Sequence, residues 1–325
     1  MKIFSIILII LLTITGCASK KYFEPKHAAQ NNNIPQSIPS KIVAFNRTGA
    51  TLGNGQTITE HNISNYKLPF GYEFINNSPN GIIATDNKNQ IIIGNKSNSI
   101  NVGGIIVAAT LKNSILAMVY SNNSYALYDI KKKKYLLKEY LTPSLINDTR
   151  ITNPIFMENL VILPTLNGKL IVLNLEKNSV IKTITIDSNN QFNNIIYLKI
   201  LKNKLITATA HKIVVISSNK VINKEYEISD ILTNDNNIYI ATIDGTLIKL
   251  DINLMEIEKK KYKFARFYAL AFGKSLYALE SQGFLVKIGN NFKTDYIYKL
   301  SIDKEDKIIA LQNKIYFGNK FIEVE

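Results

Sequence analysis

Tryptophan is absent from this chain, cysteine occurs once and histidine three times in 325 residues. A lone cysteine excludes an internal disulfide, and so few histidines leave little material for a transition-metal centre. A further absence is periodic. No stretch repeats apolar residues at helical spacing over three turns, so no amphipathic helix is expected. Gly-x-Ser-x-Gly, His-Glu-x-x-His and Gly-x-x-x-x-Gly-Lys are also missing, which removes the nucleophile elbow, the zinc-protease helix and the phosphate cradle.

Positive charge is abundant. Lysine and arginine number 39 against 25 acidic residues, a formal +14, with lysine far ahead of arginine. Such a surface favours acidic partners: anionic lipid head groups, acidic protein faces or polyanions. The runs Lys131–Lys134 and Lys259–Lys261 adjoin strand-like segments and read as solvated hairpin ends. At the N-terminus, Lys2 precedes an apolar stretch from Ile3 to Leu12, then Thr13-Ile14-Thr15-Gly16 and Cys17. A basic tip, a short apolar core and a small residue before the cut describe a secretory signal. The core is too short to cross a membrane, which takes roughly twenty residues. Its Ile-Thr-Gly-Cys ending resembles the bacterial lipoprotein signal. That resemblance implies removal of residues 1–16, acylation of Cys17 and a lipid anchor. Ala18 and Ser19 follow, with none of the aspartate that holds enterobacterial lipoproteins at the inner membrane, so an outer-membrane, periplasm-facing location is expected. Nucleic acid is not an expected partner of an exported lipoprotein.

Residues 17–40, with Asn31-Asn32-Asn33 and prolines 25, 35 and 39, read as a lipidated flexible tether. From Lys41 to Glu325 short runs of Ile, Val, Leu, Tyr and Phe alternate with Asn, Asp, Gly, Ser and Lys clusters. Three hairpins superpose: 160–175, 238–252 and 276–289, each turning at a glycine, Gly168, Gly245 or Gly283. With weaker copies at Ile82, Ile115, Leu205 and Ile315, the units start 33 to 45 residues apart. A four-stranded propeller blade takes roughly 40–45. The expected fold is therefore an all-β propeller over residues 41–325, of about seven four-stranded blades, or eight if residues 47–66 form a degenerate one. The orphan strand Ile42–Phe45 is expected to close the ring by pairing with Phe321–Val324.

The units Asn167–Asn178 and Asp244–Met255 resemble the repeat of the quinoprotein-type (PQQ-like) β-propellers, with Asn174 and Asp251 ending the alternating strand. Joined to a lipoprotein signal, the chain resembles the BamB-like lipoproteins of the outer-membrane barrel-assembly machinery. The resemblance implies a scaffold acting through contacts with envelope proteins. The family repeat closes on a tryptophan packed between blades. Here Tyr226, Tyr262, Phe292 and Tyr296 are the residues available for that packing.

A quinoprotein dehydrogenase needs an aromatic floor for its cofactor, and this chain has no tryptophan to supply one. No catalytic residue, cofactor or metal ligand is nominated, and no enzyme activity is expected. The oxygen-rich stretches Asp187–Asn190 and Asp235–Asn237 lack the spaced calcium-loop pattern and read as polar turns. Glu60-His61-Asn62-Ile63-Ser64 resembles an extended N-glycosylation acceptor, with Asn62 as its acceptor. Two readings compete with the envelope scaffold: a surface lipoprotein binding a host or matrix macromolecule, and a propeller holding a sugar or peptide over its channel. The anchor is testable directly. Cys17→Ala should abolish labelling by a palmitate analogue and release the protein into the soluble fraction; retention on the membrane would refute lipidation.

Overall fold

A computed structural model describes residues 21–30, 34–94, 99–144, 148–188 and 192–325. All regular structure among them is β: eight sheets form a ring of eight blades, a β-propeller. The innermost strands of blades 1 to 8 are Ile42–Asn46, Glu73–Ser78, Ile106–Lys112, Ile155–Met157, Tyr197–Leu201, Ile228–Asn234, Phe267–Phe272 and Ile308–Leu311. Each is followed outward by antiparallel neighbours in chain order; blade 6 continues with Asn237–Thr242, Thr246–Asp251 and Glu256–Lys261. The run Lys259–Lys261 thus lies along an outer strand, not at a hairpin end, and pairs with Glu256, Asp295 and Asp244.

The turns explain the repeat. Gly168, Gly245 and Gly283 all have positive φ, near 74° to 84°. A Cβ on any of them would fall within 2.0–2.6 Å of a backbone oxygen, so both conformation and space demand glycine. Two residues upstream of the Asn-Gly and Asp-Gly turns, Thr165 and Thr242 donate across the turn to the carbonyls of Lys169 and Thr246. At the other end of the third strand, Asn174 accepts from the Lys177 amide and Asp251 from those of Asn253 and Met255. These side chains build the next hairpin, which accounts for the repeat's closing Asn or Asp.

Strand alternation sends apolar side chains to both faces of each blade, and each face meets a neighbour. Apolar clusters fill every junction, from blades 1 and 2 around to blades 8 and 1. Without tryptophan, Tyr262 and Phe292 are buried between blades 6 and 7, and Tyr226 is half-buried between blades 5 and 6. Tyr296 is exposed and takes no such role.

The expected ring closure and tether also need correction. Ile42–Asn46 does not close the ring; it heads blade 1, pairing with Gly49–Leu52, which pairs with Thr57–Ile58. Residues 47–66 therefore belong to a three-stranded first blade, which settles the count at eight. The last strand, Lys320–Glu323, pairs instead with Gln36–Ser37, an antiparallel outer strand drawn from the segment read as tether. Polar residues hid that strand. Its anchor is the next residue, Ile38, which is buried and donates its amide to Asn319. Nor is the described part of residues 17–40 a free tether. Phe23 is buried edge-on against Tyr262 and Phe284, and Ala29–Gln30 pairs in parallel with the outer strand of blade 7.

The corrected closure makes a sharp contrast. Ile38→Ala should cost about 2–5 kcal/mol in denaturant unfolding. Val43→Ala, at a residue 49% exposed on the strand first expected to close the ring, should stay within about 0.5 kcal/mol.

Candidate functional site: the central channel and its mouth

Innermost strands have one edge unpaired, and in this ring the edges face a common channel. Side chains from neighbouring blades bond to these edges. Asn46 of blade 1 donates to the carbonyls of Phe74 and Ile75 in blade 2, at 3.1 and 2.8 Å. Asn76 of blade 2 donates to Ala109 of blade 3 at 3.0 Å. Asn153, just ahead of blade 4, accepts from the Ala109 amide at 3.0 Å. Asp230 of blade 6 accepts from the Leu270 amide of blade 7 at 2.7 Å. Tyr197 of blade 5 and Thr233 of blade 6 share a 2.9 Å bond.

Other contacts cross the channel. Arg47, in the first hairpin of blade 1, pairs with Asp230 and donates to the Ile231 carbonyl of blade 6. Its guanidinium lies 5.5 Å from the Tyr197 ring centroid. Asn153 reaches Thr48 of blade 1 at 3.1 Å. Arg150, leading into blade 4, grips Asp148 and donates to the carbonyls of Ile228 and Ser229 at 2.8 and 2.6 Å. Burial pushes the Asp148 carboxyl up, but the Arg150 hydrogen bonds and charge outweigh it and hold the group below its ordinary value. Burial likewise raises the Tyr197 phenol above its usual range.

Two cavities of about 720 and 700 Å³ adjoin these contacts and share Phe45, Thr149, Arg150, Tyr268 and Ile308 on their walls. The first follows the channel. The second opens at its mouth, on the face where the innermost strands begin and the glycine turns lie. Apolar surface dominates there: Ile243, Tyr268 and Phe45 are 57%, 57% and 39% exposed. Arg266 and Lys307 complete that wall.

The residues singled out from sequence lie elsewhere. Cys17 falls outside the described residues. Asn62 is exposed in the turn after Thr57–Ile58, where its carbonyl accepts from the Thr59 amide at 2.9 Å. Asp187 is buried, with Thr209 donating to its carboxylate at 3.1 Å and Asn193 to its carbonyl at 2.6 Å. Asn189 and Asn190 lie outside the described residues, and Asp235–Asn236 forms an exposed hairpin turn. Among the described residues no three His, Cys, Asp or Glu side chains are grouped to hold a metal ion. Sequence reading passed over the channel arginines, although a signal existed. The chain has only three arginines among its 39 basic residues, and Arg47, Arg150 and Arg266 all come to the channel or its mouth.

Because Arg47 and Asp230 are largely buried, removing one partner strands the other. Asp230→Ala should cost about 3–5 kcal/mol in denaturant unfolding, and Arg47→Met/Asp230→Leu together should recover much of it. A loss under about 1 kcal/mol would reduce the contact to an ordinary surface pair.

No family model matches the chain. It is 28% identical to the plasminogen-binding protein PgbB of Helicobacter pylori strain J99, over an alignment of 384 positions, gaps included, that covers 99% of this chain and 71% of PgbB. PgbB of strain 26695 matches equally, at 28% over 99% of this chain and 71% of its own. Among solved structures, BamB from Moraxella catarrhalis superposes with a TM-score of 0.62 at 9% identity, covering 91% of this chain and all of that one. Sqt1 of Saccharomyces cerevisiae does so with 0.63 at 12%, over the same shares. At such identities the structural likeness is one of fold: this chain has the propeller that BamB has.

Proposed function

We propose that this protein is a lipid-anchored outer-membrane propeller that faces outward and binds a host protein without catalysis, with plasminogen the first partner to test. One observation carries the reading: the 28% identity to a plasminogen-binding protein runs through 99% of the chain. The BamB likeness, at 9% identity, speaks for architecture alone. It leaves the envelope-scaffold reading with fold in its favour and nothing closer. A surface role also suits the net charge of +14, which favours acidic faces on a partner. Cys17 would supply the anchor. The channel suits a structural part, since its carboxylates Asp148 and Asp230 are each held by an arginine.

Immobilised plasminogen should retain the purified protein in a saturable way, and protease added to intact cells should remove the propeller. Failure to bind, protection from protease and a changed outer-membrane protein profile after gene deletion would together restore the assembly scaffold.

A further inference from the structure

Arg47, Asp230 and Arg150 of the channel are held by partners across it, whereas among the described residues the two cations at its mouth have no ion-pair partner. Arg150 is saturated by Asp148 and two carbonyls. Arg266 and Lys307 stand on the mouth with no carboxylate paired to either among the described residues. Asp306, on the same wall, turns its carboxylate to the Asp303 amide of its own loop at 3.0 Å. Ser229 also lines the mouth, and its buried hydroxyl has no hydrogen-bond partner among the described residues.

The backbone shapes the same wall. Tyr268 is the extra residue of a β-bulge, since Phe267 pairs with Glu280 and Ala269 with Leu279. Ser229 occupies the equivalent place in blade 6, between Ile228 and Asp230. The same bulge recurs at Val43, Ile75 and Val107 in blades 1 to 3, so it is a feature of the ring, and it re-aims the side chain of its unpaired residue. Here one bulge turns a tyrosine ring 57% exposed toward a cavity of about 700 Å³, a size suited to ligands. Ile243 from the blade 6 turn and Phe45 from blade 1 supply further apolar wall, with the Lys307 ammonium 6.0 Å from the Phe45 ring centroid.

We infer that this mouth binds an extended acidic segment of a protein partner, with an apolar side chain seated against Phe45, Ile243 and Tyr268 and flanking carboxylates held by Arg266 and Lys307. The inference deepens the protein-binding reading and rests on it. Charge sets the sign of the segment: on this wall Arg266 and Lys307 outnumber the single carboxylate, Asp306. Arg266 offers a carboxylate a forked donor, which a lysine does not. Desolvation by the apolar wall strengthens such pairs.

The test uses the full chain and a fluorescein-labelled peptide of alternating glutamate and phenylalanine, followed by fluorescence polarisation. The peptide should bind, its lysine–phenylalanine counterpart should not, and affinity should fall with added salt. Arg266→Glu and Tyr268→Ala should each weaken binding by about tenfold or more. Lys132→Glu, on a distant hairpin, should leave it unchanged. Binding of both peptides alike, or undiminished binding by the two mouth variants, would overturn the inference. Plasminogen capture separates this from the broader reading. If the mouth variants retain plasminogen as the unaltered protein does, the mouth is not the docking site, and the inference falls while protein binding stands. If the unaltered protein captures no plasminogen, that partner falls and the peptide titration still decides the mouth.

Discussion

No blade of this ring can bury its own two faces, and the rest of the molecule follows from that constraint. Each sheet offers apolar side chains on both sides, so a blade is finished only by two neighbours, and the last must meet the first. The junction of blades 8 and 1 gathers Ile38, Ile42, Leu52, Ile58, Leu311 and Tyr316 into one cluster. Gln36 and Ser37 supply only two paired residues to the edge of Lys320–Glu323. They nevertheless join the start of the chain to its end. The segment ahead of them adds Phe23 to the cluster between blades 6 and 7 and Ala29–Gln30 to the edge of blade 7. Burying the Phe23 ring is worth about 1.5–3 kcal/mol. The N-terminal segment therefore clamps successive blades before the chain enters the first.

Closing a ring creates a second problem at its centre, where eight strand edges face one another with backbone groups unpaired. Asparagine and aspartate answer it well because a short polar side chain reaches a neighbouring backbone from a position on the strand itself. Asn46, Asn76 and Asp230 do so here, and Asn153 does so from just ahead of its strand. Arg47 and Arg150 extend the same solution across the channel. Arginine is the side chain with enough fixed donors to serve a carboxylate and a carbonyl at once. A network satisfied in this way is stiff and has little left to offer a ligand. The mouth is where binding is proposed instead.

The repeat was legible because its residues obey local rules. Gly168, Gly245 and Gly283 need positive φ whatever surrounds them, and Asn174 and Asp251 build turns from their own side chains. Ring closure was not legible, because Gln36 and Ser37 carry no strand pattern and pair with residues nearly the whole chain away. Ile42–Asn46 misled for the converse reason: its apolar pattern identifies a strand and says nothing of its partner. Blade 1 looked degenerate because its outer part is short, with Thr57–Ile58 joined beyond itself only by an isolated bridge from Ile58 to Ile63. The channel site escaped notice because its members come from separate blades. Arg47 and Asp230 stand 183 residues apart. No spacing rule links them, although the scarcity of arginine marked both Arg47 and Arg150.

The same division separates what the two kinds of likeness can say about function. Groups that every eight-bladed ring needs, such as the turn glycines and the apolar faces, can be shared by propellers with unrelated partners. A TM-score of 0.62 at 9% identity reflects groups of that kind. Identity of 28% along nearly the whole chain is closer evidence of descent, and it makes the host-binding reading the stronger one to pursue. Within this chain, residues the ring does not need are the ones free to differ for a partner. Tyr268 and Ile243 leave more than half of their surface exposed and belong to no junction cluster, and among the described residues Arg266 pairs with no carboxylate. The docking proposed at the mouth would cover Tyr268 and Ile243, which the ring itself leaves exposed.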